Sequence, residues 1–173
     1  MSENISVPKK TADTPDVPKG YAESSGEIAT LMGWFFLRYL GRMHGKFAGD
    51  FVLAIVLGEI AHHNICHFYS RGKPHTPKKV KGLPSHQVWD DLEPCNAFSL
   101  SAATGIPRET IRRKISILMK RGWVQKHLTG GYVILPGVSE HFVDEFNLQT
   151  FKDLMETSEE LRNILTGQCN PAG

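Results

Sequence analysis

Apolar side chains recur at helical spacing in "GEIATLMGWFFLRYLGRM", where Ile28, Leu31, Met32, Phe35, Phe36 and Leu40 predict a helix from Gly26 to about Met43 that Gly41, Gly45 and Gly49 then interrupt. A second helix is expected from a capping Asp50 to about Tyr69, "DFVLAIVLGEIAHHNICHFY". Its first half is apolar on every side. A surface helix keeps one wet face, so this one calls for cover on both sides, from the chain's own first and last helices or from a second subunit. Beyond Pro136, the apolar positions Leu148, Phe151, Leu154, Met155, Leu161, Ile164 and Leu165 again follow helical intervals and predict one or two amphipathic closing helices.

Between these helices the pattern changes in "FSLSAATGIPRETIRRKISILMKRGWVQKHLTGGYVIL", which has the layout helix, tight turn, helix, hairpin. Ser99 or Asn96 caps a short first helix whose Leu100 and Ala103 are expected to look inward, with Ser101 small enough to let the next helix approach. Gly105 takes the turn, because a left-handed backbone is cheap only for glycine. Ile106 fills the gap, and Pro107 suits the first position of the second helix, where its missing N–H has no intrahelical partner. At 3.6 residues per turn, Ile111, Ile115 and Leu118 form one inward stripe, with Met119 at its border; Glu109, Arg113, Ser116 and Lys120 form the opposite one, flanked by Thr110 and Arg112. After Gly122 the period drops to two in "WVQKHL", Thr129-Gly130-Gly131 turns, and "YVIL" returns as a second strand.

The pattern divides the chain into a polar, proline-bearing arm over residues 1–25, an N-terminal helix over 26–49, a central domain over 50–137 and a helical segment over 138–173. The central domain carries a long connector at 71–95, with four prolines and a Lys-rich patch at 71–82, for which Val88, Trp89 and Leu92 are candidate anchors. The expected class is mainly α, with one small two-stranded β element.

Charge sharpens this division. The net charge of +2 hides a basic middle: residues 96–137 hold seven Lys and Arg against the single Glu109, whereas residues 138–173 hold two against seven acids. Such asymmetry points to a polyanionic partner for the middle. Arg108 adds to the same inference, since a cation in the first turn opposes the helix dipole and is better explained by a nearby phosphate or guanine edge.

"LSAATGIPRETIRRKISILMKRGWV" resembles the winged helix-turn-helix of bacterial transcription regulators such as the MarR-like, GntR-like and IclR-like families, and "VLAIVLGEIAHHNI" looks like the first helix of such a domain. The resemblance covers about residues 50–137. It implies a winged helix-turn-helix fold with extra helices at both ends, double-stranded DNA as partner and a homodimer as the working unit. It also implies base reading by the helix 107–120, through Arg108, Glu109, Thr110, Arg112 and Arg113, with Ser116 and Lys120 on the same outer face. A wing over 124–135 would bring Lys126, His127 and Thr129 to sugar and phosphate. Two positions depart from the family pattern: Ser101 stands where Ala is usual and Pro107 where a Ser cap is usual.

The chemistry fits the implication. An arginine donates two parallel bonds to guanine O6 and N7, a glutamate accepts from a cytosine amino group, and lysines supply the salt-dependent backbone attraction. Other readings of the same fold are a module for protein interaction or replication initiation, and a metal-sensing regulator. For the last, "HHNICH" sets His63 and His67 four apart, as it does His62 and Cys66, so either pair can offer two ligands to a transition metal; two ligands do not make a site, and no acidic partner is adjacent.

Catalytic motifs are missing: there is no Gly-rich phosphate loop, G-x-S-x-G or H-E-x-x-H, so neither an enzyme nor a cofactor is expected. A small-molecule effector is compatible with a regulator, and no residue pattern identifies one. Three cysteines at unrelated spacings imply no disulfide framework. The longest apolar runs fall short of a membrane span, and a cytoplasmic protein without a membrane partner is the expectation.

Overall fold

The chain is described here by a computed structural model covering residues 20–66 and 92–167. The Lys-rich connector with Val88 and Trp89, most of the N-terminal arm, His67 and Cys169 lie outside the described residues. The architecture is mainly helical, with one two-stranded antiparallel sheet. In chain order the elements are α1 (Ser25–Phe47), α2 (Phe51–Ile65), α3 (Ala97–Thr104), α4 (Arg108–Lys120), β1 (Val124–Lys126), β2 (Tyr132–Ile134), α5 (Pro136–Phe142), a π-helical turn (Val143–Asn147) and α6 (Leu148–Thr166). Among the described residues no helix is long and apolar enough to cross a membrane.

Helix α1 continues through Gly41 and Gly45, which sequence reasoning takes as interruptions. Each glycine costs a helix only about 0.5–1 kcal/mol relative to alanine, too little to break a run of good helix formers. The stop comes where the backbone turns left-handed, at Ala48 (φ 51°) and Gly49 (φ 79°). Asp50 then starts α2 as expected, its Oδ1 accepting from the Leu53 N–H at 2.9 Å.

Two compact units result: Tyr39–Thr150, and the described residues of the segments ending at Arg38 and beginning at Phe151. Helices α1 and α6 each contribute residues to both.

The Tyr39–Thr150 unit holds the core. Leu53, Val56, Leu57 and Ile60 of α2 meet Leu100 of α3, Ile111, Ile115 and Leu118 of α4, and Val124, Val133 and Ile134 of the sheet. The apolar excess of α2 is therefore largely absorbed by its own chain, leaving Phe51 and Ile55 on the exposed side. Phe47, Trp123 and Phe142 form an aromatic cluster with centroids 5.5–5.9 Å apart.

One polar side chain ties this core together. Asn64 is fully buried; its Nδ2 donates to the Glu93 carbonyl at 2.7 Å and the Tyr132 carbonyl at 3.2 Å, and its Oδ1 accepts from the Ile134 N–H at 2.9 Å. It thus joins α2, the strand β2 and the residues entering α3. Cys95 extends the connection by exchanging two backbone hydrogen bonds with Tyr132, at 2.7 and 3.2 Å, so a third short extended segment flanks the hairpin. Leu92, a candidate anchor of the connector, is buried here.

The smaller unit is built differently. Its described part has one buried apolar residue, Ile28, and two buried polar ones on α6, Asp153 and Thr157. Arg38 of α1 faces Asp153, with Nε 3.5 Å from Oδ2. A globular protein normally turns the apolar stripe of an amphipathic helix inward. On α6 the stripe Phe151, Leu154 and Met155 faces outward.

Candidate nucleic-acid interface

Helix α3 begins with a reciprocal cap. Asn96 Oδ1 accepts from the N–H groups of Phe98 (2.9 Å) and Ser99 (3.0 Å), and Ser99 Oγ accepts from the Asn96 N–H (3.2 Å). The helix ends at Gly105, left-handed at φ 71°, whose N–H donates to the Ser101 carbonyl at 3.0 Å. Two hydroxyls brace the turn: Ser101 Oγ donates to the Ile106 carbonyl at 2.8 Å, and Thr104 Oγ1 donates to the Leu100 carbonyl and accepts from the Ile106 N–H. Ser101, a departure from the family pattern, therefore has a local structural use. Ala103 points outward rather than inward; Leu100 alone is buried on α3. A methyl group gains too little from burial to choose the face of a short helix.

Pro107 sits at the cap position, extended at φ −55° and ψ 137°, so α4 starts one residue later than expected, at Arg108. The inward stripe Ile111, Ile115 and Leu118 is at most 1% exposed. That seating sends Arg108, Glu109, Arg112, Arg113, Ser116 and Lys120 to the exposed side, with Thr110 half-buried at its edge. Arg112 Nη1 lies 3.4 Å from Glu109 Oε2, an exposed pair that contributes about 0.5 kcal/mol or less and leaves the guanidinium available. Ser116 Oγ donates to the Arg112 carbonyl at 3.1 Å.

Among the seven cations of this segment Lys114 has a different role. Its side chain is 13% exposed, and Nζ lies 2.6 Å from Oδ2 of Asp50, pinning α4 to the start of α2. Burial pushes the Asp50 carboxyl up, but the hydrogen bonds from Lys114 and the Leu53 N–H, with the positive charges of Lys114 and Arg121, outweigh it and hold the group below its ordinary value. Arg121 stacks over Trp123 at 5.1 Å.

Strands β1 and β2 pair antiparallel in the register Val124 with Ile134, Gln125 with Val133 and Lys126 with Tyr132. Lys126 is exposed on β1. His127 and Thr129 are engaged with each other, Nδ1 lying 2.7 Å from Oγ1 and 3.3 Å from the Thr129 nitrogen, so they brace the turn as well as face the solvent. Gly131 has φ 83°, and a Cβ there would lie 2.7 Å from the Cys95 carbonyl oxygen, so only glycine fits. Leu128, unremarked in the sequence, stands wholly exposed at the tip.

Helices α3 and α4 and the hairpin enclose a cleft of about 460 Å³ lined in part by Asn96, Phe98, Arg108, Arg112, Lys126 and His127. Phe98, also missed by sequence reasoning, is 65% exposed and lies under the Arg108 guanidinium at 5.5 Å. Of the sequence-predicted cations, Arg108 and Arg112 of α4 and Lys126 of the hairpin thus converge on one cleft, whereas Arg113 and Lys120 are exposed on α4 and do not line it. The cleft's donors suit an anion.

In the other predicted cluster, His62 is exposed, His63 and Cys66 are half-buried, and His67 is outside the described residues. Among the described residues no group of three or more His, Cys, Asp or Glu side chains is placed to hold a metal ion. Burial, reinforced by the charge of Glu59, raises the Cys95 thiol to about 12, which leaves it a neutral core group at ordinary pH.

No family model, no curated protein and no solved structure matches the chain.

Proposed function

We propose that the protein is a sequence-specific, double-stranded DNA-binding transcription regulator whose α4 enters the major groove while the β1–β2 hairpin lies along the backbone. The succession of α2, the short extended segment at Cys95, α3, a left-handed glycine, α4 and a hairpin supports a winged helix-turn-helix, with β1, β2 and their turn as the wing. One observation carries the reading. The apolar stripe of α4 is buried, while Arg108, Arg112, Arg113 and Lys120 are exposed on the rest of the helix, and Arg108 and Arg112 share a cleft with Lys126 of the hairpin.

The division of labour follows from the chemistry. Arg112 and Arg113, unburdened by strong partners, can give paired hydrogen bonds to a guanine edge, and Glu109 can accept from cytosine. Arg108, held over Phe98, and Lys126 line the cleft and suit phosphate oxygens, a contact that fixes position without reading bases. The test is selection of duplexes from a random pool by the purified protein. Enrichment of a defined motif is expected; recovery of a pool indistinguishable from the input overturns base reading and leaves protein contact as the use of this face.

A further inference from the structure

The cleft between α3, α4 and the hairpin holds an aromatic ring that a duplex backbone does not call for. Phosphate and sugar are met by hydrogen-bond donors and positive charge, which Arg108 and Lys126 supply. Phe98 lines the same cleft with 65% of its surface exposed, and the half-buried Tyr132 adds a second ring to the lining. An apolar side chain gains from burial. Here that gain is forgone.

The ring is also fixed in place. Phe98 stands in the first turn of α3, where its N–H donates to the capping Asn96 Oδ1 at 2.9 Å, and the Arg108 guanidinium lies over it at 5.5 Å. Donors surround it. Asn96 uses Oδ1 for the cap and has Nδ2 left; His127 engages Thr129 through Nδ1, at 2.7 Å, and has Nε2 left; the exposed Arg112 completes the set. None of the residues lining the cleft is acidic, and its volume of about 460 Å³ is that of a small-molecule site, typically about 300–1,000 Å³.

We propose that this cleft binds an unpaired nucleotide, with the base stacked on Phe98 and the phosphate held by Arg108 and Lys126. A nucleotide joins a flat ring to an anion within one small unit, so it uses both halves of the lining. An inorganic anion would leave Phe98 idle, and an apolar ligand would leave the cations without partners. Stacking on an aromatic side chain suits any base, since each has a π-face, and a neighbouring arginine adds to it. The proposal rests on the nucleic-acid reading of this face for its phosphate contact and adds the seat for a base. In a paired duplex the bases are stacked on one another, so the duplex meets the cations and leaves the ring unused. A nucleotide within a single strand and a free one carry the same two parts.

Calorimetric titration of the full chain with three probes gives the test: an oligothymidylate of about eight nucleotides, adenosine triphosphate, and tripolyphosphate as the anion without a base. The oligothymidylate or the adenosine nucleotide should bind, more tightly than tripolyphosphate. Phe98→Ala should weaken that binding about tenfold and Phe98→Tyr should restore it, while affinity for a fully paired duplex stays within about twofold of the wild type in both variants. Binding of the oligothymidylate alone identifies a strand as the source; binding of the adenosine nucleotide alone identifies a free nucleotide. The proposal is overturned if neither binds, if tripolyphosphate binds as tightly as both, or if Phe98→Ala leaves nucleotide affinity unchanged or weakens the duplex equally. Base reading by α4 fails separately: a protein that selects no duplex motif yet holds a nucleotide through Phe98 loses that reading and keeps this site.

Discussion

Helices α4 and α6 are both amphipathic and are set in opposite senses. The first seats Ile111, Ile115 and Leu118 in the core and presents arginines; the second seats Asp153 and Thr157 and presents Phe151, Leu154 and Met155. What faces outward differs in chemistry, and so does the partner it fits. A row of guanidinium groups on a rigid apolar base suits a polyanion, whereas an uncharged apolar stripe gains only from being removed from water. The contrast also separates two uses of burial: around α4 it makes a frame, and along α6 it leaves a surface unfinished.

The frame can be broken without touching the face it presents. Asn64→Leu removes three hydrogen bonds and strands the Glu93 carbonyl and the Ile134 N–H in the core, while the Tyr132 carbonyl keeps the Cys95 N–H. A loss of about 3 kcal/mol in urea unfolding is expected; a loss below about 1 kcal/mol would show that the hairpin is held by other means. Asp50→Ala should cost about 2 kcal/mol, from the lost cap and the charge left unpaired on Lys114. Its milder form, Asp50→Asn, keeps a cap acceptor and loses the charge. Because the folded carboxyl titrates below its ordinary 3.8, the stability it adds is complete above that pH and disappears as pH falls through the lower folded value. The wild-type advantage over Asp50→Asn should therefore be full at pH 7 and vanish in strong acid. An advantage unchanged by acid would contradict the ion pair.

The face itself should behave oppositely. Arg113→Ala is expected to change unfolding stability by no more than about 0.5 kcal/mol, as for any exposed residue without a structural partner. A larger loss would mean that the outer side of α4 is part of the frame. Lys126→Ala should weaken binding to all duplexes alike and lower the slope of log affinity against log salt by about one unit; an unchanged slope removes the hairpin from the backbone. The smallest effect concerns Cys95, which should resist alkylation in the native protein while Cys66 reacts, because its thiol is buried and raised to about 12. Equal labelling rates, followed by peptide mass spectrometry, would show that the core around the third extended segment opens readily.

Much of the α4 region is legible in sequence because its signals are local. The spacing of Ile111, Ile115 and Leu118 sets its face, Gly105 marks the turn, and Thr129-Gly130-Gly131 marks the hairpin; each depends on neighbours a few residues away. Asn64 was invisible for the opposite reason. Within "HHNICH" it looks like one more polar residue among metal ligands, and its three partners arrive from segments remote in sequence. Cys95 and Gly131 acquire meaning only when the chain brings them within contact. Gly41 and Gly45 mislead because a weak propensity reads like a boundary, and Ala103 because a methyl group has little preference for either face. The spacing of α6 reveals an apolar stripe but carries no information on which side the rest of the chain will occupy.

The central claim, that the outward arginines of α4 read bases, is tested most directly by the affinity of Arg113→Ala for a duplex recovered by selection, set against its affinity for a random duplex of equal length and salt. A loss of about 1–3 kcal/mol on the selected duplex, with little on the random one, is predicted. Equal losses on both would reduce Arg113 to a phosphate contact and contradict the account.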